Sequence, residues 1–154
     1  DPAGIEWLDQ PCAAGDWHAL AAVKDASPVP LAASGFIYYD DDIANAAATV
    51  DMVGFGFARM GGTGQLRSAI RKAKTLGLGV FVGGSLQSDL TTFMEFQASD
   101  GAIVDLPAFS AAAEPMLSAE VFAAGGRLTA RPTSPLRLNE ETLASCTLQE
   151  LTFG

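Results

Sequence analysis

Met52-Val53-Gly54-Phe55-Gly56-Phe57, the turn Gly61-Gly62, the stretch Thr63 to Leu76, then Gly77 and Gly79-Val80-Phe81-Val82-Gly83 form the segment that decides the fold. Each short apolar run bounded by glycine reads as a strand, and the amphipathic stretch between them reads as a helix. Gly77 stands where a helix closes on a left-handed C′ residue. Arg67, Arg71, Lys72 and Lys74 gather toward that C-terminus, where the helix dipole favours cations. Strand, helix, strand in this order is a βαβ unit and calls for parallel pairing.

The alternation continues both ways. Ile5 to Asp9, Val29 to Ala33 and Ala102 to Leu106 join the two central runs at intervals of about 25 residues, room for one strand plus one helix. Helices are predicted over Asp16 to Lys24, Asp41 to Ala48, Thr63 to Leu76, Gln87 to Ala98 and Phe109 to Leu117, with Asp16 and Asp41 as cap or first-turn acids. From Gly125 the pattern changes to Gly-Gly, Pro132, Pro135 and an extended Leu128 to Leu138 region, the mark of a closing hairpin or tail. The chain therefore reads as α/β, with βα units over residues 1–124 and a C-terminal hairpin or tail over 125–154. About five units suit an open doubly wound sheet or the latter part of an eight-unit barrel. The first unit lacks the Gly-rich turn of a dinucleotide-binding sheet and passes instead through Gln10-Pro11-Cys12-Ala13-Ala14-Gly15.

Composition narrows the class. The chain has 154 residues, one domain's worth, of which 49% are apolar and 18% charged, enough for a packed core and too little charge for disorder. Eighteen acids against nine bases give a net charge of -9, so attraction to a phosphate backbone does not drive binding, and no nucleic-acid partner is expected. No apolar run reaches the roughly 18 to 20 residues of a membrane span, and no signal-peptide pattern is present. A soluble chain is expected. Cys12 and Cys146, isolated from one another, favour a reducing interior, cytoplasm or organelle, over a disulfide scaffold.

Four local motifs carry a family resemblance. Ile5-Glu6-Trp7-Leu8-Asp9-Gln10-Pro11-Cys12, Pro28-Val29-Pro30-Leu31-Ala32-Ala33, Asp51-Met52-Val53 followed by Arg59-Met60-Gly61-Gly62-Thr63, and Gly79 through Leu86 resemble the enolase superfamily. The likeness is to its muconate-lactonizing branch, and most closely to the C-terminal barrel half of o-succinylbenzoate synthase. The tail from Gly125-Gly126-Arg127-Leu128 through Asn139-Glu140-Glu141-Thr142-Leu143 is similar to that family's C-terminal extension. The resemblance implies a partial TIM-type barrel, running from barrel strand four to the C-terminus. It leaves out the capping domain, the strand-two lysines and the strand-three metal carboxylate.

The family's chemistry is proton abstraction beside a carboxylate, with the enediolate held by Mg²⁺ and a lysine. By this resemblance Asp9 stands at the middle metal-ligand position, Gly35 at the next ligand position and Gly56 at the lysine position. Two glycines there remove a ligand and a base. Phe36 and Phe57 beside them suggest apolar filling of the mouth. The resulting expectation is a catalytically degenerate domain, serving as a structural or interaction module in a larger assembly, with no cofactor. The alternative is half of a split or fused Mg-dependent lyase of the menaquinone or phylloquinone pathway, completed by another chain. A leftover small-molecule pocket would draw on Ser34, Ser85, Gln87 and Asp89.

Other residue groups have plainer readings. Asp40-Asp41-Asp42 reads as helix-capping acids rather than a cation site. Gly61-Gly62-Thr63-Gly64 lacks the Lys-Ser or Lys-Thr of a phosphate loop. His18, the only histidine, sits in a helical segment away from any triad geometry, Cys12 reads as a buried thiol, and Tyr38-Tyr39 as a packing pair. By strand alternation, Leu31, Val53, Phe55, Val80, Val82 and Ile103 are expected on or beside the inward barrel face. An open first-strand edge beside that face predicts a protein partner, or a missing N-terminal segment, to cover it.

Overall fold

The computed structural model describes residues 4–83, 87–105, 115–117 and 137–148, together with the backbone of strand residues 121–124 and 127–130. The order is β1 (Leu8–Asp9), α1 (Trp17–Ala26), β2 (Leu31–Ala33), α2 (Asp40–Thr49), β3 (Met52–Phe55), α3 (Phe57–Met60), α4 (Thr63–Thr75), β4 (Gly79–Val82), α5 (Asp89–Ala98), β5 (Ile103–Val104), β6 (Val121–Ala124), β7 (Arg127–Ala130) and α6 (Glu140–Cys146). Two compact units divide the chain, residues 1–85 with 94–105 and residues 86–93 with 106–154.

The first unit holds a five-stranded parallel sheet whose spatial order equals its sequence order, β1-β2-β3-β4-β5. Each crossover therefore joins neighbouring strands through a helix, the pattern of a partial TIM-type barrel. Pairing is deepest at the centre, where Met52–Phe55 lies opposite Gly79–Val82, and falls to Leu8↔Leu31 and Asp9↔Ala32 at the first edge.

Local chemistry explains the helix ends. Asp16 caps α1 by accepting from Ala19 N at 2.9 Å. Asp42, in the first turn of α2, accepts from both Tyr38 N and Tyr39 N at 2.9 Å, which gives the acidic triplet its capping role. After α4, Gly77 takes φ +82°, and Leu78 N donates to Ala73 O while Gly77 N donates to Lys74 O, both at 3.0 Å. That paired closure needs the left-handed residue that glycine supplies without a Cβ clash.

The inward-face expectation holds for Ile103 and fails for the other five residues. Leu31, Val53, Phe55, Val80 and Val82 pack in the core with Leu20 of α1, Ile43 and Ala46 of α2, and Leu66 and Ile70 of α4. Alternation then puts Ala32, Gly54 and Phe81 on the opposite face, with Ile103 in register beside Phe81 and 53% exposed. Trp7 and Phe81 meet there at a ring-centroid distance of 6.2 Å. Parallel strands carry apolar side chains on both faces, so their own alternation is silent about which parity lies under the helices. The apolar stripes of α1, α2 and α4 decide it.

Other boundaries shift. The run Met52 to Phe57 ends as a strand at Phe55, and Phe57 opens the one-turn α3, closed by Gly61 at φ +77°. Phe36 does not fill the mouth; its ring packs edge-on to Trp17 at 4.8 Å within the core. Tyr38 and Tyr39 do pair, with ring centroids 6.3 Å apart, but on the surface, where they are 50% and 77% exposed. Most of the predicted helix Phe109 to Leu117 lies outside the described residues, and its last residue, Leu117, forms an antiparallel bridge with Leu138.

In the second unit β6 and β7 pair antiparallel, with Val121↔Ala130 and Ala124↔Arg127. Asn139, whose side chain accepts from Glu141 N and Thr142 N at 3.2 Å, starts a helix that the extended reading of this tail did not include.

Candidate functional site

In βα folds the chemistry sits at the C-terminal ends of the strands, where loops converge. Here that mouth is built from Asp9, the last residue of β1, and Gln10 after it, Ser34 and Gly35 after β2, and Gly56 through Arg59 after β3. Gln10 takes φ +51° and ties two loops together. Its Oε1 accepts from Ser34 N and Gly35 N, both at 3.3 Å, while its Nε2 donates to Cys12 O at 3.1 Å. Ser34 Oγ donates to Asp9 Oδ2 at 3.0 Å. Asp9 and Ser34 are thus brought together, as the resemblance requires for residues ending neighbouring strands.

Asp9 is exposed as a residue, yet packing around its carboxyl removes enough water to raise its pKa above the ordinary aspartate value. The Ser34 hydroxyl and the charge of Arg59 pull the other way without prevailing. Gly35 is exposed, and a Cβ there would meet only Gln10 Oε1, at 3.8 Å, so the position has room for a side chain. Gly56 is buried. A Cβ there would stand 3.4 Å from Arg59 Nη2 and 3.6 Å from Arg59 Cζ, so the guanidinium fills the space in front of it.

Arg59 projects from α3, and α3 is fixed by Glu95. That glutamate, on α5, has no exposed surface and accepts from Phe57 N at 2.7 Å. Sequence reasoning singled out neither Glu95 nor the position of Arg59. The available signal was slight: Glu95 is the one acid between Met94 and Phe96 in an apolar stretch.

The remaining sequence-predicted residues lie elsewhere. Asp89, in the second unit, is buried, and its carboxylate accepts from Met116 N at 3.1 Å and Leu117 N at 2.8 Å, a backbone clamp. Gln87 Nε2 donates to Thr92 Oγ1 at 3.2 Å. Ser85 lies outside the described residues. His18 is exposed on α1, and Cys12 is half-buried against the core.

Magnesium would need several hard oxygen ligands in near-octahedral geometry. Among the described residues no three Asp, Glu, His or Cys side chains converge, and Asp9 already accepts from Ser34 with the Arg59 cation nearby. This donor set does not fit the ion. No helix among the described residues is long and apolar enough to cross a membrane.

Known proteins place this mouth in context. The family model for enolase C-terminal domain-like proteins matches residues 1–130. The L-Ala-D/L-amino acid epimerase of a Maribacter species is 27% identical over an aligned length of 109, covering 66% of this chain and 32% of that protein. The N-succinyl Arg/Lys racemase from Bacillus cereus superposes with a TM-score of 0.83 at 20% identity, over 95% of this chain and 41% of its own. The muconate lactonizing enzyme from Pseudomonas putida gives 0.80 at 20% identity, over 92% and 42%. The chain spans about a third of the curated relative and about two fifths of these structures.

Proposed function

The chain belongs to the enolase C-terminal domain-like family, and from that premise we propose that it is a catalytically degenerate, o-succinylbenzoate synthase-like domain working as a structural or interaction module in a larger assembly. One observation carries this reading: the ends of β2 and β3 present Gly35 and Gly56, and the space before Gly56 is taken by Arg59. A proton-abstracting site needs a base of tuned pKa and a stabiliser for the developing oxyanion. Neither a lysine nor a second carboxylate stands at these two positions. Calorimetric titration with Mg²⁺ and a dehydration assay on the o-succinylbenzoate precursor test it. Affinity no better than that of an exposed carboxylate, and no turnover, are expected; micromolar metal binding or measurable turnover overturns it.

The second reading, half of a split or fused lyase, draws support from the first edge of the sheet. Among the described residues, the two-residue β1 has a neighbouring strand on one side only. Beside it Leu8, Ala22, Val23, Ala26 and Pro28 line an apolar groove of about 390 Å³. Bare edges of this kind are normally covered. A protein supplying the strand-two lysines and strand-three carboxylate would bind there. With such a partner, Gly35→Glu alone or Gly56→Lys alone is expected to give no turnover, because metal and lysine act on one intermediate. Turnover from either single change would show that these glycines do not stand at the ligand and lysine positions.

A further inference from the structure

We propose that the mouth between β1, β2 and β3 is a metal-independent binding site for a small oxyanion, a carboxylate or phosphate group, anchored on Arg59. The inference needs neither the metal nor the lysine of the family chemistry, and it stands or falls separately from the reading above.

Arg59 Nε is buried and, among the described residues, has no hydrogen-bond partner. Orphaned buried donors are rare because they lose their water without compensation. The guanidinium carries its donors in a planar fork that matches the two oxygens of a carboxylate or phosphate. It is also held ready. The one-turn α3 is tied at its start by Phe57 N to Glu95 Oε1 and closed at its end by Gly61 N to Phe57 O at 3.1 Å. With no side chain on Gly56, the Arg59 Nη2 atom can lie in front of that strand end.

Asp9 is the obvious rival for this cation, and it is not paired with it. The ion pairs Lys24–Asp51, Lys72–Asp40 and Lys74–Asp100 involve neither Arg59 nor Asp9. Asp9 Oδ2 takes its hydrogen bond from Ser34 instead. No other Lys or Arg stands in the described loops that leave β1 to β5 at this end of the sheet. In a chain of net charge -9, an anion approaching the mouth has this one fixed attractor there.

The test is nitrogen-15 NMR of the full chain, following the Arg59 side-chain Nε–H resonance during titration with sodium succinate in one arm and inorganic phosphate in the other. Sodium chloride at matched ionic strength is the reference. A saturable shift with slowed solvent exchange is expected, and the responding arm tells carboxylate from phosphate. Arg59→Gln should weaken binding about tenfold or more, the loss expected for a charge-assisted pair. Asp9→Asn should tighten it by removing a neighbouring negative charge. Should Arg59→Gln fail to fold, Arg59→Lys serves in its place, since it keeps the charge but loses the planar fork and so should weaken binding. The proposal is overturned if neither anion moves the resonance beyond chloride, or if Arg59→Gln binds as the parent does.

Discussion

At the N-terminal end of the sheet, Asp51 sits just before β3 with every contact made: Lys24 of α1 pairs with its carboxylate and Leu31 N donates to it at 2.9 Å. Its own backbone joins neighbouring strands, Asp51 N donating to Leu31 O and its carbonyl accepting from Gly79 N. At the C-terminal end, Asp9 has one hydroxyl donor, Ser34, and a nearby cation that does not reach it. Burial pushes both carboxyls upward. At Asp51 the Lys24 hydrogen bond, the Leu31 N–H and the Lys24 charge together outweigh it and hold the pKa below the ordinary value, whereas at Asp9 burial prevails. One end of the sheet spends its polar groups on holding strands together, and the other leaves them incompletely matched. Stability devices at the bottom of a βα barrel and ligand chemistry at the top are the general division of this architecture.

The strongest way to test that division is to disturb the strand joining the two ends. A Cβ on Gly54 would run into Phe81 Cζ and come 2.7 Å from Ser34 Cβ. Gly54→Val should cost about 3 kcal/mol by overpacking, read by denaturant unfolding; a near-neutral result would show that this face is loosely filled. Asp51→Asn comes next, at about 1–2 kcal/mol near neutral pH after allowing for solvent screening. Its sign with pH is fixed. A depressed folded-state pKa contributes stability above the unfolded value and loses it as pH falls through the folded value, so the gap between parent and variant should close in acid. A gap that stayed constant would mean that packing, not charge, is what Asp51 supplies.

Asp9→Asn should have a smaller effect of opposite sign. Because the folded protein holds the Asp9 proton more tightly than the unfolded chain, raising pH from below the unfolded value through the folded value costs stability. The variant, which keeps an acceptor for Ser34, should match or exceed the parent at pH 7, by no more than about 0.5 kcal/mol for this exposed position, and show no gain near pH 3. Destabilisation at pH 7 would make Asp9 a structural anchor like Asp51. Lys72→Met closes the series. Its pair with Asp40, at 2.8 Å, is open to solvent, and its loss should change the unfolding midpoint by close to nothing.

Legibility in the sequence was uneven, and particular residues show why. The βαβ reading of Met52 to Gly83 and the C′ role of Gly77 rest on local periodicity and one backbone conformation, both visible in the chain. Parallel pairing followed from the order of such units, and the family likeness from the residue motifs that stand in them. The place of Arg59 was hidden: its position depends on a one-turn helix and on a glutamate 36 residues further on, and long-range hydrogen bonds leave no periodic trace.

What the sequence determined by itself is therefore what local sterics and side-chain period dictate: five strand-like runs, their helices, the acidic caps and the parallel class. The tertiary structure alone decided which parity of each strand lies beneath the helices, so that Val53 and Phe55 joined the core while Gly54 turned toward Phe81. It also brought Gln10, Ser34, Asp9 and Arg59 to one end of the sheet. Buried-on-both-sides strands carry no polarity pattern to orient them, and a mouth made from loops far apart in the chain exists only once the register between strands is set.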